Sequence, residues 1–301
     1  MENIITEERT GGGPTQLVTS PTRWWYLLAV ASVLLAVIYI GAVLTPAGQS
    51  FENAALRGAD QIDQAEFSEA SRALEQITLW SLAVTTLAVG AIGLLRRSIT
   101  LAAVAMGVIF VGQVITQALK RFILPRPELV EVTGDYAGNS FPSGHTTIAM
   151  TVIIALFLVV PYKWRGLAML LVSPWAFGIG AYTITAKWHR LSDTIGADLV
   201  ALIVGALASL LLLRMGYVER DESRPRPRLI FVWGAGIVAV LLMAVGCILA
   251  SVAWRYPLDL PIVEWDLFLA AHSFSLAGSI FALLAFWWTW RGISVRVSQR
   301  R

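Results

Sequence analysis

The sequence predicts an all-α fold, a polytopic transmembrane bundle of about eight helices. The chain is 56% hydrophobic and only 14% charged, where soluble domains carry roughly 25% charged residues. Its apolar residues fall into eight runs, each about long enough for the roughly 30 Å hydrocarbon core of a bilayer. With so little chain left outside these runs, helices are the spanning element expected, because backbone groups in lipid must pair within the segment.

The elements follow in order. Residues 1–23 read as a flexible cytoplasmic tail containing Gly11-Gly12-Gly13-Pro14. Glu2, Glu7 and Glu8 carry the wrong charge for the start of a cleavable signal peptide. The first span, about 24–46, therefore serves as an uncleaved anchor. Residues 47–77 form an acidic external connection with Phe51, Ala55, Leu56, Ala59 and Ile62 at roughly helical spacing. An interfacial amphipathic helix fits this pattern, and so does a helical hairpin packed on the bundle top. The remaining spans are placed at about 78–95, 99–118, 146–161, 166–186, 194–213, 229–251 and 267–290. Residues 215–228 make a cytoplasmic loop ending in Arg224-Pro225-Arg226-Pro227-Arg228, a basic anchor for anionic lipid. The one cysteine, Cys247, lies mid-helix and excludes an intrachain disulfide. These elements group as 1–23, 24–77, 78–214 and 215–301.

Charge orients the bundle. With a cytoplasmic N-terminus, fifteen of the 23 Lys and Arg residues fall on the cytoplasmic side and eight on the other. The positive-inside rule therefore predicts both termini in the cytoplasm. Three polar motifs then share the external face: Lys120-Arg121 with Arg126-Pro127, Phe141-Pro142-Ser143-Gly144-His145, and Trp188-His189-Arg190-Leu191-Ser192-Asp193. Two of the three histidines lie in these motifs.

Each motif has its own chemistry. His189 and Asp193 are four residues apart and share a face on a helical turn. A carboxylate that holds one imidazole nitrogen fixes the tautomer and leaves the other nitrogen nucleophilic. A surface His-Asp pair at a helix end would have the same spacing. Gly144 lets backbone approach a ligand, and the amides opening a helix face an anion. Ser143 can donate to an oxyanion or cap the helix, and His145 can act as a general acid. Lys120, Arg121 and Arg126 can neutralise phosphate or snorkel at a helix end. Asp198 fits either a role behind the site or a helix–helix hydrogen bond. His272 reads as a buried structural histidine.

In this order and topology the motifs resemble the type 2 phosphatidic acid phosphatase superfamily of membrane lipid phosphatases. The resemblance covers roughly residues 78–214, so helices three to six would form the phosphatase core. It implies that His189 attacks phosphorus to form a phosphohistidine, that Asp193 orients His189, and that His145 protonates the leaving group. Lys120, Arg126, Ser143 and the Gly144 amide would bind phosphate oxygens, with no metal or other cofactor. The expected substrate is a membrane lipid phosphate or pyrophosphate, such as a polyprenyl phosphate, phosphatidate or phosphatidylglycerophosphate. The localisation expected is the plasma membrane, with the site external. No nucleic-acid partner is expected, and the sequence does not specify an oligomeric state.

Two departures stand out. The family has six residues between its lysine and Arg-Pro, whereas Lys120 and Arg126 have five between them, and Leu119 takes the lysine position. The family's arginine six residues before the nucleophile is replaced by Thr183. Lys187, four residues after Thr183, and Arg190 are the candidates to supply the missing cation. The competing reading is a non-catalytic lipid-phosphate-binding protein of the same fold. A transporter is disfavoured because the ionisable residues cluster at one face and not at the midplane.

Overall fold

The computed structural model describes residues 19–77, 79–132, 138–221 and 226–296. Most of the expected N-terminal tail, and Arg224-Pro225 of the basic loop, lie outside the described residues. The chain folds as α1 (Thr22–Ile38), α2 (Pro46–Gly58), α3 (Gln64–Glu75), α4 (Leu79–Leu95), α5 (Ile99–Ala118), α6 (Gly144–Val159), α7 (Arg165–Thr185), α8 (Leu191–Arg214), α9 (Arg226–Ala250) and α10 (Pro261–Thr289). Two strands, β1 (Val218–Arg220) and β2 (Ile293–Val295), pair antiparallel.

Each of the eight expected runs coincides with a helix. Among the described residues, six spans are individually long and apolar enough to cross a membrane, or up to seven if the bent pair α3–α4 counts as one. The shorter apolar helix α6 has 16 residues, about 24 Å at 1.5 Å rise per residue. Its neighbours explain why a short helix suffices. It packs on α5, α7 and α8 and buries most of its side chains against protein, so it need not match the lipid thickness.

The bundle is built around α8. Its apolar window is 78% buried, against 11% for α9 on the periphery. Apolar residues all round α8 suit a helix enclosed by others, and it meets α1, α5, α6 and α10. Local signals set the helix starts. Thr45, Asp63 and Ser98 cap α2, α3 and α5 by accepting the amides of Gly48, Glu66 and Leu101. After α8, Gly216 adopts a left-handed φ of 75°. The Gly216 amide donates to the Leu213 carbonyl and that of Tyr217 to the Leu212 carbonyl, which is the Schellman pattern that ends a helix. The chain then enters β1, where the sequence predicts only a loop. Val218 pairs with Val295, and Val218, Ile293 and Val295 are all buried, so a distant apolar partner turns this stretch into a strand.

The connection after α1 settles into the fold as protein-packed helix. Ala54, Ala55 and Ala59 of this region cluster with Val263, Leu267 and Phe268 of α10, and Phe51 and Ile62 pack at the edge. A Cβ at Gly58 would overlap the Glu264 carbonyl, so the two backbones cross there in close contact. The apolar stripe thus faces α10, which favours the packed hairpin over a helix lying in the lipid interface.

Candidate active site

The motif-bearing elements meet at one end of the bundle. α5 runs into a π-helical turn, Leu119–Ile123, which carries Lys120 and Arg121. The Asn139 side-chain amide donates to the carbonyls of Lys120 (2.8 Å) and Leu124 (2.7 Å). Its oxygen accepts the Phe141 amide at 3.2 Å. Helix ends leave carbonyls without intrahelical partners, and this one side chain satisfies two of them while starting the second motif. Phe141 then packs against α8, where a Cβ on Gly196 would come within 2.7 Å of its ring. This contact requires a glycine.

Ser143 caps α6. Its hydroxyl accepts the Thr146 amide at 3.3 Å and the Thr146 hydroxyl at 3.0 Å. Its own amide donates to the Asp193 carbonyl at 2.9 Å. The second and third motifs are therefore joined through backbone. Gly144 follows with no neighbour closer than 3.7 Å to an added Cβ, the Gln117 amide nitrogen. The His145 ring lies 5.3 Å from the Trp188 indole, tilted by 57°. The charges of His189 and Lys120 both act on His145, and the charge of Asp193 acts on Lys120. Lys120 on the π turn thus feels the charge of Asp193 despite its one-residue offset.

α7 ends in a second Schellman pattern. The Lys187 amide donates to the Ile184 carbonyl and that of Trp188 to the Thr183 carbonyl, each at 2.9 Å. Lys187 takes the left-handed position, φ 59°, which is uncommon for a residue with a Cβ. The His189 amide also donates to the Thr183 carbonyl, at 3.1 Å. Thr183 therefore positions the loop carrying His189 through its carbonyl, while its hydroxyl donates back to the Gly180 carbonyl at 2.7 Å. Because the helix stops at Thr185, four-residue spacing does not put Lys187 on the Thr183 face. The Lys187 ammonium instead forms an ion pair with Asp60. Burial pulls the Lys187 pKa down.

His189 Nδ1 lies 3.2 Å from Asp193 Oδ2. The same oxygen accepts the Arg190 amide at 2.9 Å, so Asp193 also caps the start of α8. Asp193 is fully buried and His189 is 8% exposed. With Nδ1–H donated to the carboxylate, Nε2 carries the lone pair. His189, Lys187 and Arg190 line a cavity of about 510 Å³, together with Ser140, Trp188, Leu56 and Phe67. Lys120, Arg126, Ser143, Gly144 and His145 do not form its wall.

Arg126 Nη2 pairs with Glu52 Oε2 at 3.1 Å, both side chains only 5% exposed. The other terminal nitrogen, Nη1, is buried without a hydrogen-bond partner among the described residues. The Arg190 guanidinium donates to Asn53 Oδ1 from Nε and Nη2, each at 3.4 Å, and to the Ser140 hydroxyl at 3.3 Å. Burial lowers the Arg190 pKa, and the nearby Arg126 charge lowers it further. The Asp193 and Glu52 carboxylates partly offset this. Among the described residues, no group of three or more His, Cys, Asp or Glu is placed to hold a metal ion.

Residues 99–220 match the family model described as the PAP2 superfamily. This segment of the chain belongs to that family. No curated protein and no solved structure matches the chain. Membership points to a membrane-associated phosphatase acting on phosphate esters. The PAP2 segment spans α5 to β1 and contains every candidate residue.

Glu52 and Asn53 lie outside the PAP2 segment and carry no motif. Glu52 Oε1 accepts the Ser192 amide at 2.8 Å while Oε2 holds Arg126. Burial pushes the Glu52 carboxyl up, the Asp193 charge pushes it further, and the Ser192 and Arg126 contacts partly offset this. Gln49 joins them: its amide nitrogen donates to the carbonyls of Val43 and Pro127, and its oxygen accepts the Leu129 amide. The spacing of Gln49, Glu52 and Asn53 marks one helical face, a signal in the sequence for a polar face that docks on something. What it docks on is set by the fold. Asp198 and His272 both have structural partners. Asp198 accepts from the Ser279 hydroxyl at 3.0–3.1 Å, a bond between α8 and α10. His272 lies 2.8 Å from the Thr185 hydroxyl and 2.9 Å from the Phe268 carbonyl.

Proposed function

We propose that the chain is an integral membrane phosphatase that hydrolyses a lipid phosphate or pyrophosphate monoester through a phosphohistidine on His189. The observation that carries this reading is the His189 Nδ1–Asp193 contact of 3.2 Å at the wall of the cavity. His189 Nε2 attacks phosphorus, forming a P–N bond as the P–O bond to the lipid alcohol or phosphate breaks. The departing oxygen takes a proton from His145. Asp193 stabilises the charge that develops on His189. Water then attacks the phosphohistidine, gives its proton to His145, and releases inorganic phosphate. Lys120, Arg126 and Arg190 neutralise the phosphoryl oxygens, and Arg190 supplies the cation absent at Thr183. The Ser143 hydroxyl and Gly144 amide donate to the same oxygens. No step calls on a metal ion.

Leu56 and Phe67 offer an apolar wall beside the cationic cavity, which suits an amphiphile whose tail remains in lipid. The charge asymmetry of the loops supports an external site, with both termini cytoplasmic.

The test is phosphate release by the detergent-purified protein, in EDTA, from polyprenyl and glycerolipid phosphates, with His189→Ala in parallel. Release that vanishes in the variant supports the mechanism. A folded protein that binds these lipids without releasing phosphate would replace it with a non-catalytic binding role, the reading favoured by Thr183 standing where the family has arginine.

A further inference from the structure

A groove of about 1320 Å³ opens between α9 and α10. It reaches Tyr162, which follows α6, and Arg228, at the start of α9. The candidate active site lies where α6 begins, so the groove mouth is at the opposite end of the bundle. Val232, Ile237, Leu241, Phe281 and Leu284 form much of its apolar wall. Arg228, Arg291, Tyr162, Trp288 and Asp221 surround its polar end.

We propose that this groove binds a two-chained anionic phospholipid. Its acyl chains lie along α9 and α10, and its phosphate sits between Arg228 and Arg291. Size is the first argument. Pockets for drug-sized ligands measure roughly 300–1,000 Å³, and this groove is larger and mostly apolar. The second argument is charge. The Arg228 guanidinium donates to the Tyr162 hydroxyl and lies 5.2 Å from that ring. The Arg291 guanidinium sits 4.2 Å over the Trp288 ring. These contacts orient both groups and leave further N–H donors on each. Among the described residues, neither arginine has a carboxylate within ion-pair distance. Asp221 shares the polar end, and its charge acts on Arg165. A phosphate diester accepts from two guanidiniums at once. A choline headgroup would bring a fixed cation against them.

Native mass spectrometry of the full-length protein in detergent tests this, titrating phosphatidylglycerol and phosphatidylcholine with the same acyl chains. The wild type should bind phosphatidylglycerol at least about tenfold more tightly, the difference expected from one charge-assisted hydrogen bond. Arg228→Gln with Arg291→Gln should reduce phosphatidylglycerol binding to the phosphatidylcholine level. If the double variant does not fold, Arg291→Gln alone, at an exposed position, should weaken phosphatidylglycerol selectively. Gly236 lines the groove and a Cβ there meets nothing within 4 Å, so Gly236→Phe directs a ring into the groove and should weaken both lipids. Equal binding of the two lipids by the wild type overturns the proposal. So does unchanged phosphatidylglycerol binding in these variants, or its loss in Arg126→Gln instead.

Discussion

The Ser143 amide donates to the Asp193 carbonyl across 2.9 Å. This bond runs from the helix cap beside the candidate acid, His145, to the residue that holds the candidate nucleophile, His189. The relative placement of acid and nucleophile is thus set by main chain, which no side-chain substitution at either position removes.

Asp193→Asn should keep this backbone bond and lose the charge that holds His189 Nδ1. Turnover should fall by roughly 10³–10⁴-fold, as when other histidines lose an orienting aspartate. The measurement is kcat for phosphate release. A fall of less than about tenfold would exclude an orienting role for Asp193.

Gly196→Ala should disturb the site from behind. Its Cβ would press on the Phe141 ring at 2.7 Å, and overpacking of this kind costs about 1–3 kcal/mol. A lower melting temperature with reduced kcat is expected, because Phe141 leads directly into Pro142 and Ser143. Full kcat at the lower melting temperature would separate this packing from the site.

Glu52→Ala should lower stability and kcat/KM together. It leaves Arg126 a buried charge without its partner, a change that costs roughly 3–5 kcal/mol in protein interiors. Glu52→Ala with Arg126→Met should destabilise by less than the sum of the single changes, since both act on one pair. Additive losses in thermal unfolding would show that the two side chains work independently.

Arg190→Met and Lys187→Met should differ. Arg190 is 3% exposed and lines the cavity; removing it should cost about ten- to a hundredfold in kcat/KM, the scale of one charge-assisted contact. Lys187 is engaged with Asp60, itself 63% exposed, so its variant should stay within about threefold, consistent with the small contribution of solvent-screened pairs. Equal losses in the steady-state kinetics would give Lys187 a share in phosphate binding. Lys187→Gly adds a control: it relieves the left-handed φ and should raise the melting temperature.

The helices at 78–95, 99–118 and 194–213 were legible because long apolar runs have few alternatives in lipid. The His189–Asp193 pair was legible for a similar reason: a four-residue spacing at a helix start carries its geometry with it. The same rule failed for Lys187. The spacing assumes a continuing helix, and the Schellman turn at Lys187 interrupts it. Lys120 shows the converse: displaced by one residue and carried on a π turn, it still feels the charge of Asp193.

By itself the sequence determined what is local: hydrophobic runs, caps, the short motifs and the end of the bundle where they gather. Only the tertiary structure decided what those motifs touch. The partner of Arg126 is Glu52, 74 residues away, and that of Arg190 is Asn53, 137 residues away. The strand at Val218 pairs with Val295. Periodicity and polarity are properties of neighbouring residues, so a single chain displays them. Contacts between distant residues depend on how helices pack, and packing is a property of all their surfaces at once.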